Sequence, residues 1–265
     1  MPFLKLNGID TYYIVDGKGS TVVLVHHLAG NIKSWLNQIP YLARNYHVVA
    51  YDLRGHGRSA EPGQTFTMDD LAEDLFLLLE KLGIQKCSLI GHSIGGMVAP
   101  LFALKHGEMV DSLLIVSGAI QSLGDKLASY GAMREIARSK GMEALAEYRR
   151  SNNQIPPKIS NNPVLWEYFK HLYKETSVQG YIRASEALAT MPNLIDKIKQ
   201  IHCPILGVVG DLDPVFMNTM KTLVDNASVQ IEVMRNCGHF LMMEEPDEFN
   251  NILTSFLKSY NLNSH

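Results

Sequence analysis

Short apolar runs rich in β-branched residues recur along the chain, and between them lie segments whose apolar positions return at helical spacing. This rhythm predicts a mostly parallel sheet covered by helices on both faces. Strands are expected at residues 21–25, 47–51, 87–90, 113–116, 205–209 and 229–233. Upstream, residues 3–6 and 11–15 flank the turn-forming pair Asn7-Gly8 and read as an antiparallel hairpin at the sheet edge, which brings the sheet to eight strands.

The clearest helix spans residues 68–82, where Leu71, Leu75, Leu78, Leu79 and Leu82 share one stripe. Thr67 and Asp70 supply a start resembling a capping box, and Gly83 supplies a stop. Further helices are expected at 95–106 and 246–260. Between about residues 119 and 192 the strand-helix alternation breaks. That interval is helical in character at 142–150 and 165–174, with a polar stretch containing Asn and Pro at 151–163. It predicts a helical lid (119–192) inserted into a core built from 1–118 and 193–265. There is no internal repeat, low-complexity tract or separating linker.

Size and composition narrow the class. A chain of 265 residues with 46% hydrophobic and 19% charged residues can fill one sizeable α/β core. A formal net charge of -3 leaves no basic footprint for nucleic acid or anionic lipid, so neither is expected as a partner. Apolar runs such as 22–25 are far too short to span a bilayer, and the first residues lack the pattern of an export signal. A soluble cytoplasmic protein, monomer or homodimer, is the expectation. Cys87, Cys203 and Cys237 are odd in number and scattered without a C-x-x-C spacing, so neither a disulfide framework nor a zinc site is indicated. Cys237, two residues before His239, is either a thiol near a site or a plain buried cysteine.

Chemistry enters at Gly91-His92-Ser93-Ile94-Gly95, a G-x-S-x-G sequence. The pattern alone is weak, but here it follows a strand and precedes an apolar helix. A sharp strand-to-helix turn strains the serine backbone and admits only small residues two positions away, which Gly91 and Gly95 satisfy. Such a turn lifts the Ser93 hydroxyl above the carboxyl ends of the strands and directs the Ile94 N–H toward developing negative charge. A second donor is expected from the loop His26-His27-Leu28-Ala29-Gly30, with the Leu28 N–H chosen. A serine needs a base oriented by a carboxylate, in the chain order Ser, acid, His. Gly210-Asp211-Leu212-Asp213 offers two acids after one late strand, and Gly238-His239 offers the base after the next.

These motifs, together with Asp52-Leu53-Arg54-Gly55-His56-Gly57-Arg58-Ser59, resemble the α/β-hydrolase family over essentially the whole chain. The resemblance implies that Asp213 is the triad acid and Asp211 a turn residue. It also implies that the Asp52–Ser59 segment is a structural turn in which Asp52 and Arg54 fix loops beneath the pocket. The family usually has glycine where this chain has His27, so its imidazole is either merely accommodated or borders the pocket as a polar contact. Serine at the elbow disfavours the haloalkane dehalogenase and epoxide hydrolase branches, which use aspartate there. The first ninety-odd residues look most like carboxylesterases and 3-oxoadipate enol-lactonases.

The expected function is therefore hydrolysis of a small-molecule carboxylic ester through Ser93, His239 and Asp213, with no metal or other cofactor. A lactonase, or a receptor that captures a small molecule with the same triad, is the alternative. Substrate contacts are expected from His27, Tyr130, Trp166, Val215 and Phe240.

Overall fold

A computed structural model describes residues 2–227 and 229–261. In chain order its strands are β1 (Phe3–Leu6), β2 (Ile9–Asp16), β3 (Thr21–Val25), β4 (His47–Tyr51), β5 (Cys87–His92), β6 (Val110–Val116), β7 (Ile205–Gly210) and β8 (Gln230–Met234). They form one sheet in the order β1-β2-β4-β3-β5-β6-β7-β8. Pairing is antiparallel from β1 through β2 to β4 and parallel beyond. Asn7 and Gly8 both take positive φ, 47° and 82°, as a two-residue hairpin turn that continues the strand twist requires.

The central strands are apolar at consecutive positions because both faces are covered. From Val22 to Val25 and from Cys87 to His92 every residue is buried. A polar pair at depth in the central strands, Ser88 and Ser112 on neighbouring strands, satisfies itself through a hydroxyl bond of 2.9 Å. The last strand, β8, lies at the edge and exposes Gln230, Glu232 and Val233.

The helices are α1 (Ile39–Leu42), α2 (Met68–Lys81), α3 (Ile94–Lys105), α4 (Ser129–Ser151), α5 (Pro157–Ser160), α6 (Pro163–Lys174), α7 (Val178–Ala187), α8 (Pro214–Asn226), α9 (Leu241–Glu244) and α10 (Pro246–Asn261). The expected capping box of α2 is present: Thr67 Oγ accepts from the Asp70 amide, and Asp70 accepts from the Thr67 amide at 2.7 Å. The start of α3 lies one residue before the expected Gly95, directly after Ser93. The helix expected at 142–150 is the second half of the longer α4, which kinks at Gly141 (φ 84°). The sequence reading did not single out α8, although Phe216, Met220 and Leu223 mark its buried face. No helix of the described residues is long and apolar enough to cross a membrane.

Helices α4 to α7 all fall between β6 and β7, where the alternation breaks. Ties along their length hold them to the strand-bearing part. The Ser177 amide donates to Gly55 O (3.0 Å), the Met68 amide to Thr190 Oγ (2.9 Å), and the Tyr168 hydroxyl to Lys33 O (2.6 Å). Gly55 and Gly180 meet backbone to backbone, so that a Cβ on either would overlap the other.

Candidate active site

The strand β5 delivers Ser93 into a conformation that ordinary residues avoid, φ 56° and ψ -115°. The flanking glycines explain how this is tolerated. A Cβ on Gly91 would overlap the Gly95 carbonyl, and a Cβ on Gly95 would overlap the Val25 carbonyl. Backbone bonds clamp the turn on both sides, from the Ser93 amide to Val116 O (2.9 Å) and from the Met97 amide to Ser93 O (3.0 Å). Ser93 itself stays half-buried.

The two late loops meet because Gly210 has no side chain: a Cβ there would overlap the carbonyls of Cys237 and Gly238. That approach sets His239 Nδ1 at 2.7 Å from Asp213 Oδ2. Burial alone would raise the Asp213 pKa, but the charge and hydrogen bond of His239, with the Phe216 amide, hold it below the ordinary carboxylate value. Asp211 is used elsewhere. Its Oδ1 accepts from the Cys237 amide (3.3 Å) and its Oδ2 lies 3.9 Å from Arg235, so it closes the turn rather than contacting His239.

His239 is further fixed by its neighbours. Its ring stacks on Phe216 (centroids 4.7 Å, 30°), and its carbonyl accepts from His92 Nε2 at 2.7 Å, which ties its loop to the serine turn. The sequence reading missed Glu244, whose two carboxylate oxygens accept from the Gly238 and Phe240 amides, each at 2.9 Å. It brackets His239 from both sides. The only local signal is its spacing of five from His239 at the start of a helical stretch.

The loop after β3 turns through Ala29 (φ 61°), closed by the Gly30 amide on His27 O at 3.0 Å. Neither the Leu28 nor the Ile94 amide donates to another described residue, so both are free to meet an oxyanion. His27 is wholly buried and does not line the cavity. Its Nδ1 donates to Leu28 O (2.9 Å) and its Nε2 accepts from Ser34 (3.1 Å), which makes it a support of this loop. Beneath, Asp52 accepts from the Ile32 (2.7 Å) and Arg58 (2.8 Å) amides, and Arg54 grips Asp74 at 2.6 and 2.7 Å.

A cavity of about 400 Å³ opens beside His239 and Asp213, walled by Tyr130, Met133, Arg149, Ile155, Val215 and Phe216 among others. Ser93 does not line it, so it adjoins the reactive end through His239. Of the expected substrate contacts, Tyr130 and Val215 face this space. Trp166 and Phe240 do not: Trp166 is 3% exposed and stacks on Phe169, with Arg150 over its ring, while Phe240 packs against His27, His92 and Phe169. An amphipathic face buried against the core and one lining a cavity have the same spacing in sequence. No group of three or more His, Cys, Asp or Glu among the described residues could hold a metal ion. Cys237 is buried, and burial raises its thiol pKa to about 11.

Four buried imidazoles surround this machinery as neutral rings. Burial lowers His27 to about 3, His56 to about 4, and His26 and His92 well below the usual value. His26 illustrates why: Nδ1 donates to His27 O (2.7 Å) while Nε2 accepts from the Leu53 amide (2.9 Å), a role that a second proton would end. Because the unfolded chain takes up these protons below about pH 6.5 and the folded one does not, acid favours unfolding, each ring contributing up to about 1.4 kcal/mol per pH unit. Asp52, raised by burial to about 6, and Asp74 and Glu244, also raised by burial, act oppositely as pH falls. The four imidazoles begin titrating at higher pH and outnumber them. The melting temperature is therefore expected to fall between pH 7 and pH 5. A flat profile in differential scanning calorimetry would show that these rings ionise within the folded state.

Comparison with known proteins places this geometry. The family described as alpha/beta hydrolase fold matches residues 20–134. 3-Oxoadipate enol-lactonase 2 of Acinetobacter baylyi is 27% identical over 267 residues, covering 97% of each chain. The soluble epoxide hydrolase of Corynebacterium sp. (strain C12) is 27% identical over 267 residues, 91% of each chain. A solved structure from a study of carboxylesterases of the thaumarchaeon Nitrososphaera gargenis superposes with a TM-score of 0.92 at 32% identity, covering 99% of this chain and 100% of that one. With that identity over the full length of both chains, and with the eight-stranded sheet and serine turn described above, this protein belongs to the α/β-hydrolase family.

Proposed function

We propose that this protein is a serine hydrolase of small-molecule carboxylic esters, with Ser93 as nucleophile, His239 as general base and acid, and Asp213 as the residue that orients His239. Hydrolase activity is what its relatives support in common. The observation that carries the finer reading is the 2.7 Å contact of His239 Nδ1 with Asp213, combined with the strained serine turn. A carboxylate on Nδ1 keeps the proton there and leaves Nε2 free to accept one. Serine at the turn favours an acyl-enzyme over the aspartate chemistry of the epoxide hydrolase branch.

In the proposed cycle Ser93 Oγ attacks the carbonyl carbon while its proton passes to His239 Nε2. The tetrahedral oxyanion rests on the Leu28 and Ile94 amides. Collapse expels the alkoxide, which takes the proton from His239. Water, deprotonated by His239, then attacks the acyl ester, and collapse releases the acid and restores Ser93. Water is the only co-reactant and no cofactor takes part. In a lactone the leaving alkoxide stays attached to the acyl group, so the same steps open a ring, a reading that the enol-lactonase relative favours. The interval 119–192 acts as the lid that selects substrate, since it supplies Tyr130, Met133, Arg149 and Ile155 to the cavity.

Turnover should be measured across p-nitrophenyl esters of increasing chain length, simple lactones and a vinylogous diketone. Multiple turnovers on esters or lactones are expected. A single slow turnover accompanied by a conformational change would replace the enzyme reading with that of a receptor.

A further inference from the structure

Among the groups lining the cavity, Arg149 stands out because it carries a charge that nothing in the fold answers. It sits near the end of α4 and faces the same space as His239 and Asp213. Its Nε donates to Gln154 Oε1 at 3.3 Å and its Nη1 to the Tyr173 hydroxyl. Nη2 donates to no described residue, and no described carboxylate lies within ion-pair distance of the guanidinium. Arg54 shows the contrast, since its buried fork is taken up by both oxygens of Asp74.

Arg149 is half-buried, and a guanidinium in a cavity wall without a counter-ion is a ready partner for an anion that enters the space. The guanidinium stays protonated at any ordinary pH, as arginine does, and the tyrosines beside it are neutral hydrogen-bonding neighbours rather than counter-ions. The cavity's own carboxylate, Asp213, is committed to His239. Lys126 adds a second cation to the lining. The volume of about 400 Å³ suits a compact molecule.

We propose that Arg149 is the anion-binding residue of a substrate subsite, so that the ester or lactone carries a free carboxylate away from the bond being cleaved. The free Nη2, with Nη1 beside it, presents a planar fork to the two carboxylate oxygens. The substrate then holds its carboxylate on Arg149 within the cavity and extends past His239, beyond the cavity wall, to place its scissile carbonyl at Ser93. This deepens the serine-hydrolase reading and rests on it.

The test compares the mono-p-nitrophenyl ester of glutaric acid, which keeps a carboxylate, with its neutral methyl-capped counterpart. In the unaltered protein the acidic ester is expected to have the higher kcat/KM, by about tenfold or more. In Arg149→Gln, which keeps a polar group near Tyr173, that acid-to-neutral ratio should collapse toward unity, chiefly through KM. In Arg149→Lys, with charge but no fork, it should fall between the two. Glutarate should inhibit hydrolysis of the neutral ester competitively, and glutaramide, which is neutral and not an ester, should not, a measurement on the unaltered protein that stands even if the variants fail to fold. An unchanged ratio in Arg149→Gln, or equal inhibition by glutarate and glutaramide, overturns the subsite while leaving the esterase reading intact. No turnover of either ester would instead remove the reading on which it rests. In that event, protection of Ser93→Ala against heat by glutarate but not by glutaramide still supports the anion site, and equal effects of the two overturn it.

Discussion

Ser93→Ala is expected to lose ester turnover by several orders of magnitude while keeping its fold. The strained backbone at φ 56° is retained through the same bonds to Val116 and Met97, and alanine adds no atom that serine lacks. The hydroxyl makes no hydrogen bond with another described residue, so its removal costs packing little. What disappears is the acyl-enzyme route, and the amides of Leu28 and Ile94 can then polarise a carbonyl only for direct attack by water. Steady-state rates on a short p-nitrophenyl ester measure the loss, and retention of more than about a tenth of the activity in a clean preparation would falsify the nucleophile. Labelling with an organophosphonate gives an independent reading, since mass spectrometry should place the adduct on Ser93.

The second large effect separates two carboxylates that lie only two residues apart. Asp213→Asn should lower kcat by roughly four orders of magnitude, because an amide no longer secures the Nδ1–H tautomer or stabilises the imidazolium. Asp211→Asn should cost less than about tenfold, since the amide oxygen can still accept from Cys237 and the substitution leaves His239 untouched. Measured on the same ester, the reverse ranking would show that Asp213 serves the α8 start, where it also accepts from the Phe216 amide at 3.4 Å, rather than the histidine.

Much of this arrangement was legible without coordinates, for reasons tied to particular residues. The runs at Val22–Val25 and Cys87–Ile90 read as strands because burial on both faces leaves no polar alternation to confuse them. Asn7-Gly8 read as a hairpin because only such residues reach positive φ at low cost. Trp166 misled: its helical spacing beside Phe169 and Tyr173 is that of any amphipathic face, and the structure turns that face into the packing of α6. The helix α8 is harder to see because the acid-bearing turn ahead of it reads as site chemistry, and only the structure shows that Asp213 also caps the helix whose buried face is Phe216, Met220 and Leu223.

By itself the sequence determined what depends on a few neighbouring residues: the eight strands, the capped helix after Thr67, and the serine turn that Gly91 and Gly95 make possible. It also determined the order serine, acid, histidine along the chain. The residues by themselves offered two acids and only the family resemblance pointed to Asp213; the tertiary structure supplies the physical reason, because the meeting with His239 depends on how closely Gly210 packs against Cys237, some 27 residues away. It decided too that Glu244 brackets the histidine loop, that His27 supports the loop after β3 from within, and that Arg149 faces a cavity with no carboxylate of its own to answer it. Local propensity is sensed through backbone conformation within a turn or two. Which polar group finds a partner is settled by distances between segments that become neighbours only when the sheet assembles.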